Sequence, residues 1–206
     1  MPQRSIEDRL REEYFHLLPE IKRVAWQLEA EVRFHTLPIL HELKTPEQLI
    51  IKSRIKECES AIETLKRISG EGRQFDPERA EEYSLLHLPD LAGVRVLVFP
   101  DRRLTEVDAL LRAHFTDWTA KPIPYNERSR LVPKYYGYCR TQNHERLSNV
   151  LGEYQVVPML LGLFWEVEHA AMYKFRAVAN SKEMKDRRSA VERSLADFEA
   201  GVERFL

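Results

Sequence analysis

Length, composition and charge narrow the classes at the outset. The 206-residue chain is 43% hydrophobic and 32% charged, as expected of a globular protein with a charge-rich surface. Its formal net charge of −1 excludes a nucleic-acid binder that works by bulk positive charge, though not one with a local basic groove.

The two cysteines, Cys58 and Cys139, form neither a metal-type nor a redox-type pair and point to a reducing compartment. The start, MPQRSIEDRLREEYF, carries no apolar signal segment, and the longest apolar stretch, VVPMLLGLFW, holds a proline and is too short to span a bilayer. The expectation is a cytoplasmic protein with no membrane association.

From Ile6 to about Val32, apolar residues including Leu10, Ile21, Val24 and Leu28 fall at helical spacing, and Pro38 is expected to interrupt the next segment, FHTLPILHELK. A second helix is predicted from Thr45-Pro46-Glu47-Gln48 to about Ser69, with threonine as N-cap and proline in the first turn. Its stripe is Ile51, Ile55, Cys58, Ile62 and Leu65, and it places Lys56, Ser60, Thr64 and Arg67 on one ridge. The polar segment from Glu71 to Leu88 reads as loop or short helix.

DLAGVRVLVF, Asp90 to Phe99, is the predicted central strand: a β-branched apolar run, closed by Pro100, that reads as buried on both faces. LTEVDALLRAHF has helical spacing. Lys121 to Lys134 holds three prolines and the bases Lys121, Arg128, Arg130 and Lys134, and reads as a mobile basic loop. KYYGYCR and EYQVV are predicted strands, followed by a helix from Met159 to about Val178. A last helix carries Met184, Val191, Leu195, Phe198, Val202 and Phe205 in a heptad-like seam. Strands alternating with helices give an α/β (α+β) class, a small mixed sheet flanked by helices. The chain divides into an N-terminal helical extension (1–44), a central domain (45–178) and a C-terminal helix (179–206).

Three positions draw attention to chemistry. Asp90 stands at the head of the central strand, Arg95 lies inside it, and Gly93 between them leaves room for close approach. A buried arginine needs an anion, supplied either by an internal carboxylate or by a ligand phosphate. In EYQVV the period of two sets Glu153 and Gln155 on one face. If that strand neighbours the Asp90 strand, two carboxylates converge and could hold Mg²⁺; the alternative is a structural ion pair between Glu153 and Arg95. Trp165 and His169 are assigned packing or supporting roles.

Taken together, RIKECES at 54–60, DLAGVRV at 90–96, PKYYGY at 133–138, EYQVV at 153–157 and WEVEHAAMYK at 165–174 resemble, in order and spacing, the synthetase domain of the RelA/SpoT family. The resemblance covers roughly residues 45–175. It implies a nucleotidyltransferase-like RelA/SpoT synthetase fold with N- and C-terminal helices. The activity it implies is that of a GTP pyrophosphokinase, which transfers pyrophosphate from ATP to the 3′ hydroxyl of GDP or GTP with Mg²⁺ as cofactor, in guanosine tetraphosphate metabolism and the stringent response. By the same resemblance Arg54, Lys56 and Ser60 hold ATP, and Arg103 stacks on adenine; Arg67 is read as a substitute for the family lysine that Thr64 replaces, and Arg95, from its place inside the strand, joins the ATP side. Asp90 and Glu153 are the catalytic and metal-binding carboxylates. Lys134, Tyr138, Gln155 and Lys121 serve the acceptor.

The sequence departs from the family pattern at Thr64, where the family has lysine, and at Tyr136, Arg140, Gln142, Val157 and Pro158, with His144 displaced from the family's histidine position. These departures leave two alternatives: a toxin-like relative that pyrophosphorylates the 3′ end of tRNA, and a degenerate domain that binds nucleotide or a partner. The seam of the last helix is expected to dock on the domain itself, the alternative being that the terminal helices serve a second copy or an antitoxin-type partner.

Overall fold

The computed structural model describes residues 5–69, 74–125, 130–141, 143, 145–174 and 182–205. In chain order the elements are α1 (Ile6–Glu42), β1 (Gln48–Ile55), α2 (Cys58–Ser69), two short 3₁₀ turns (Pro77–Glu82 and Leu85–His87), β2 (Ala92–Phe99) and α3 (Arg102–His114). There follow β3 (Thr119–Ala120), β4 (Ile123–Tyr125), β5 (Arg130–Val132), β6 (Lys134–Gly137), β7 (Gly152–Pro158), α4 (Met159–Lys174) and α5 (Lys182–Glu203). The main sheet is five-stranded in the order β1-β2-β7-β6-β3. Only β2 and β7 run parallel; the other neighbours are antiparallel. This is the expected mixed sheet flanked by helices.

Two elements differ from expectation. The helix predicted over 45–69 is strand β1 followed by the shorter helix α2. Ile51 and Ile55 are four apart, a spacing that satisfies a strand's period of two as well as a helix turn. The β-branched residues Ile50, Ile51 and Ile55 and an eight-residue antiparallel ladder with β2 decide for the strand. The ridge from Lys56 to Arg67 is therefore broken, because Lys56 lies in the turn before α2. Likewise α1 does not end at Pro38 but continues to Glu42. Buried Thr36 and Ile39 anchor its last turns, and this packing outweighs the one backbone donor that proline removes.

The segment read as a basic loop also contains structure: β4 and β5 pair as a small hairpin. Arg128, Gln142, His144 and the predicted end of α4 near Val178 lie outside the described residues. So does the side chain of His169.

The sheet has two different faces. One carries Ile51, Val94, Val96, Val98, Tyr154 and Val156, all buried, and packs against α1, α2 and α3. An aromatic group of Phe115, Trp118, Tyr135 and Tyr154 extends this core, with Tyr135 stacked on Tyr154 at 4.9 Å and Trp118 at 5.5 Å from Tyr154. On the other face only Leu97 and Val157 are apolar and central; they pack with Met159, Leu161 and Trp165 of α4. The rest of that face is polar. Among the described residues no helix is long and apolar enough to cross a membrane.

Gly137 marks where the aromatic core needs close approach. A β-carbon there would lie 2.6 Å from the Trp118 ring, which is held on both sides and has nowhere to move. Gly137→Val is expected to lower stability by about 1–3 kcal/mol, read as a fall in denaturation midpoint at unchanged m-value. Wild-type stability in that variant would overturn this account of the packing.

Candidate active site

The polar face is ordered by cross-strand register. Arg54 of β1 pairs with Gly93 of β2, Gly93 with Glu153 of β7, and Glu153 with Tyr136 of β6. The next row is Lys52, Arg95, Gln155 and Lys134. Since register partners share a face, these eight residues form two adjacent lines across four strands. Topology gathers the rest. Because β1 and β6 run against the parallel pair β2 and β7, the ends of β1 and β6 meet the beginnings of β2 and β7 at one edge. Arg54 and Lys56, Asp90, Glu153, Tyr136 and Tyr138 thus collect at the same end of the sheet.

Within this group the contacts are specific. The Lys56 ammonium donates to Asp90 Oδ2 at 2.6 Å, with side chains 8% and 20% exposed. Lys56 is held from below by Tyr14, whose hydroxyl donates to the Lys56 carbonyl at 2.8 Å. Asp90 Oδ1 is buried and has no hydrogen-bond partner among the described residues. Buried Glu153 forms an ion pair with Lys134 and accepts from Gln155 Nε2 at 2.7 Å. Gln155 Oε1 in turn accepts from Arg95 Nε at 3.3 Å. Gly93 is buried, and a β-carbon on it would sit 3.3 Å from the Glu153 carbonyl oxygen and 3.5 Å from Arg54 Cγ, so the stem of Arg54 lies close over Gly93 and beside the Glu153 backbone.

Arg95 settles one alternative. It does not pair with Glu153; its nearest carboxylate is Glu166 of α4, at 3.9 Å. Burial, with Arg54 beside it, pushes the guanidinium below its ordinary range, so its positive charge is incompletely compensated. Arg54 has no ion-pair partner among the described residues. Lys52, Arg54, Lys56, Arg95 and Lys134 outnumber Asp90, Glu153 and Glu166, and the face as a whole is poised for an anion.

Other predicted residues are placed elsewhere. Arg103 lies past the far end of β2, about 20 Å along the strand from Gly93 at ~3.3 Å per residue. There it binds Glu47 at 2.9 Å and Glu106 at 2.6 Å. With Arg102 it holds the buried Glu47 carboxyl down at about 2, Arg103 being the largest cause. Arg103 takes part in this ion-pair network, and the arginines nearest Gly93 on the polar face are Arg54 and Arg95. Arg67 is exposed in the last turn of α2, about 14 Å along the helix from its start at ~1.5 Å per residue. Ser60 is half-buried in the first turn of α2, and Thr64 spends its hydroxyl on the Ser60 carbonyl at 2.8 Å.

Lys121 is exposed and joins the sheet by its backbone, donating to the Lys134 carbonyl at 2.8 Å. Tyr138 sits at the edge shared by Arg54 and Glu153, with the Arg146 guanidinium 4.0 Å above its ring. Trp165 lies 6.0 Å from Arg95 and donates to Glu192 of α5 at 3.0 Å, consistent with a supporting role. Lys52 and Glu166 belong to the polar face and were missed; with β1 read as a strand, Lys52 and Arg54 two apart would have pointed to one face.

Neither a metal cage made of protein side chains alone nor a reactive thiol is built among the described residues. No group of three or more His, Cys, Asp or Glu there is arranged to hold a metal ion by itself. Burial pushes the Cys139 thiol up to about 12, which leaves it protonated and inert.

Comparison with known proteins bears on the fold. No protein-family model matches the sequence, and no curated protein sequence matches it. Solved structures do. Small alarmone synthetase 1 from Bacillus subtilis, bound to its product pppGpp, is 16% identical with a TM-score of 0.67, over 94% of this chain and 96% of that one. The same enzyme bound to AMPCPP gives 17% and 0.60, over 93% and 96%. A GTP pyrophosphokinase family protein from Streptococcus pneumoniae gives 18% and 0.65, over 93% and 92%. The chain therefore has a RelA/SpoT synthetase-like fold. More particularly, the likeness runs over nearly the whole length of the small alarmone synthetases.

Proposed function

We propose that this chain is a pyrophosphotransferase that moves the β,γ-pyrophosphate of ATP onto the 3′ hydroxyl of GDP or GTP. The observation that carries the reading is the convergence, at one end of the sheet, of Arg54, Lys56 and Arg95 with Asp90 and Glu153 around Gly93. Such a transfer needs cations on the phosphates and a carboxylate at the attacking hydroxyl. Support for the nucleotides comes from the neighbour enzyme described with pppGpp and with AMPCPP.

In this reading the ATP polyphosphate lies over Gly93 between Arg54 and Arg95. Lys56 neutralises charge there and holds Asp90 in place. Asp90 fits a Mg²⁺ ligand because its Oδ1 is buried and unpartnered. Mg²⁺ typically takes one or two carboxylates and completes its shell with water and substrate phosphate, and when bound it would neutralise phosphate charge. Glu153 accepts the proton of the acceptor hydroxyl. The 3′ oxygen bonds to the β-phosphorus, the bond from that phosphorus to the α,β-bridging oxygen breaks, and AMP leaves with the electron pair. Lys134 and Gln155 keep the Glu153 carboxylate oriented. Tyr138 at the same edge offers a ring for the acceptor base, and Ser60 stands by the ATP-side turn.

The test is a transfer assay with β,γ-labelled ATP and Mg²⁺, with GDP, GTP and bulk tRNA offered in parallel. Label is expected on GDP or GTP. Label on tRNA alone would replace the guanosine acceptor with an RNA end. No transfer to any acceptor, with AMPCPP still bound, would make the domain a binding module instead.

A further inference from the structure

We propose that Lys52 is a further phosphate-binding residue of this cleft, and that Glu166 occupies its place until a nucleotide polyphosphate displaces it. The inference rests on the nucleotide reading of the site and adds to it a ligand and a counter-ion. Lys52 is the register partner of Arg95 and lies two residues before Arg54 on the same strand, so the three cations share one face. Glu166 reaches down from α4 and bridges two of them: one oxygen lies 2.8 Å from the Lys52 ammonium, the other 3.9 Å from Arg95. A carboxylate held between two cations in this way stands where a phosphate's oxygens would stand.

Exposure decides whether the pair is a fixed tie or an exchangeable one. The side chains of Lys52 and Glu166 are 42% and 35% exposed, whereas Arg95 is only 13% exposed. Ion pairs that accessible contribute little to stability. A polyphosphate brings more charge, on more oxygens, than one carboxylate. It also satisfies Arg95, which Glu166 at 3.9 Å does not. The ligand class is therefore a nucleotide di- or triphosphate, held by its terminal phosphates.

The two roles predict effects of opposite sign. Lys52→Met removes a ligand to phosphate and is expected to weaken AMPCPP binding by about 5- to 20-fold, with a shallower dependence on salt. Glu166→Gln removes the competitor and is expected to tighten AMPCPP by about 3- to 10-fold. The measurement is AMPCPP affinity by titration calorimetry at two salt concentrations, with thermal midpoints for each variant and Arg54→Ala alongside. A structural tie alone would make both variants weaken binding together, which would overturn the proposal. So would unchanged affinity in Lys52→Met while Arg54→Ala loses binding. If Arg54→Ala is also silent, the nucleotide reading of the cleft falls first and this inference with it.

Discussion

Replacing Glu153 by glutamine is expected to lower pyrophosphate transfer by about 10²- to 10⁴-fold, the usual worth of a positioned acid–base group, while AMPCPP affinity stays within a few-fold of wild type. The amide is nearly the same shape, so its oxygen can still accept from Gln155 Nε2, as the carboxylate does at 2.7 Å. What is lost is the charge. A neutral amide cannot take the hydroxyl proton, and Lys134 is left without the counter-charge it now has. Stability is expected to fall by about 1–3 kcal/mol for that reason. The readouts therefore separate: a collapse of transfer with ATP-analogue binding kept marks a role in the chemical step. Transfer within about threefold of wild type would remove Glu153 from the mechanism.

Valine at position 93 is expected to abolish AMPCPP binding in practice, by roughly 100-fold or more if two charge-assisted phosphate contacts are lost at about 1.5–3 kcal/mol each. The added β-carbon would fit with a shift of only a few tenths of an ångström, since its nearest atoms lie at 3.3 and 3.5 Å. Valine also suits a strand flanked by Val94 and Val96. The fold should hold, at a cost of about 1–2 kcal/mol. The γ-carbons, however, push on the Arg54 stem that lies over Gly93, and a phosphate can no longer meet both arginines. Affinity by titration and a thermal midpoint decide the matter. Wild-type affinity in a folded Gly93→Val would mean that the nucleotide binds elsewhere.

Much of the site is legible in the sequence because its residues conflict with their surroundings. An arginine and a glycine inside the β-branched run of β2, and a carboxylate inside the fully buried β7, are costly unless something charged meets them. That physical cost is local to a few residues, so it is written in the sequence. The strands β2 and β7 and the helix α3 are legible for a similar reason: each shows its own period over its own length.

The misreadings share another origin. Ile51 and Ile55 fit a helix and a strand equally well, and only the ladder with β2 distinguishes them. The tolerance of α1 for Pro38 depends on Thr36 and Ile39 being buried against the rest of the protein. The ion pair of Arg103 with Glu47, past the far end of β2, likewise depends on a segment distant in the chain.

The sequence by itself determined the class of fold, the two central strands and the acid, glycine and arginine at the head of β2, since each follows from periodicity or from the cost of burying charge. The tertiary structure alone decided which of those residues stand together. Register aligns Arg54 with Gly93 and Glu153, and Lys52 with Arg95 and Gln155. Strand direction brings Lys56 and Asp90 to the same edge, and α4 carries Glu166 onto Lys52. Register and direction are relations between distant segments, fixed by pairing and packing over the whole sheet, and no single stretch of chain contains them.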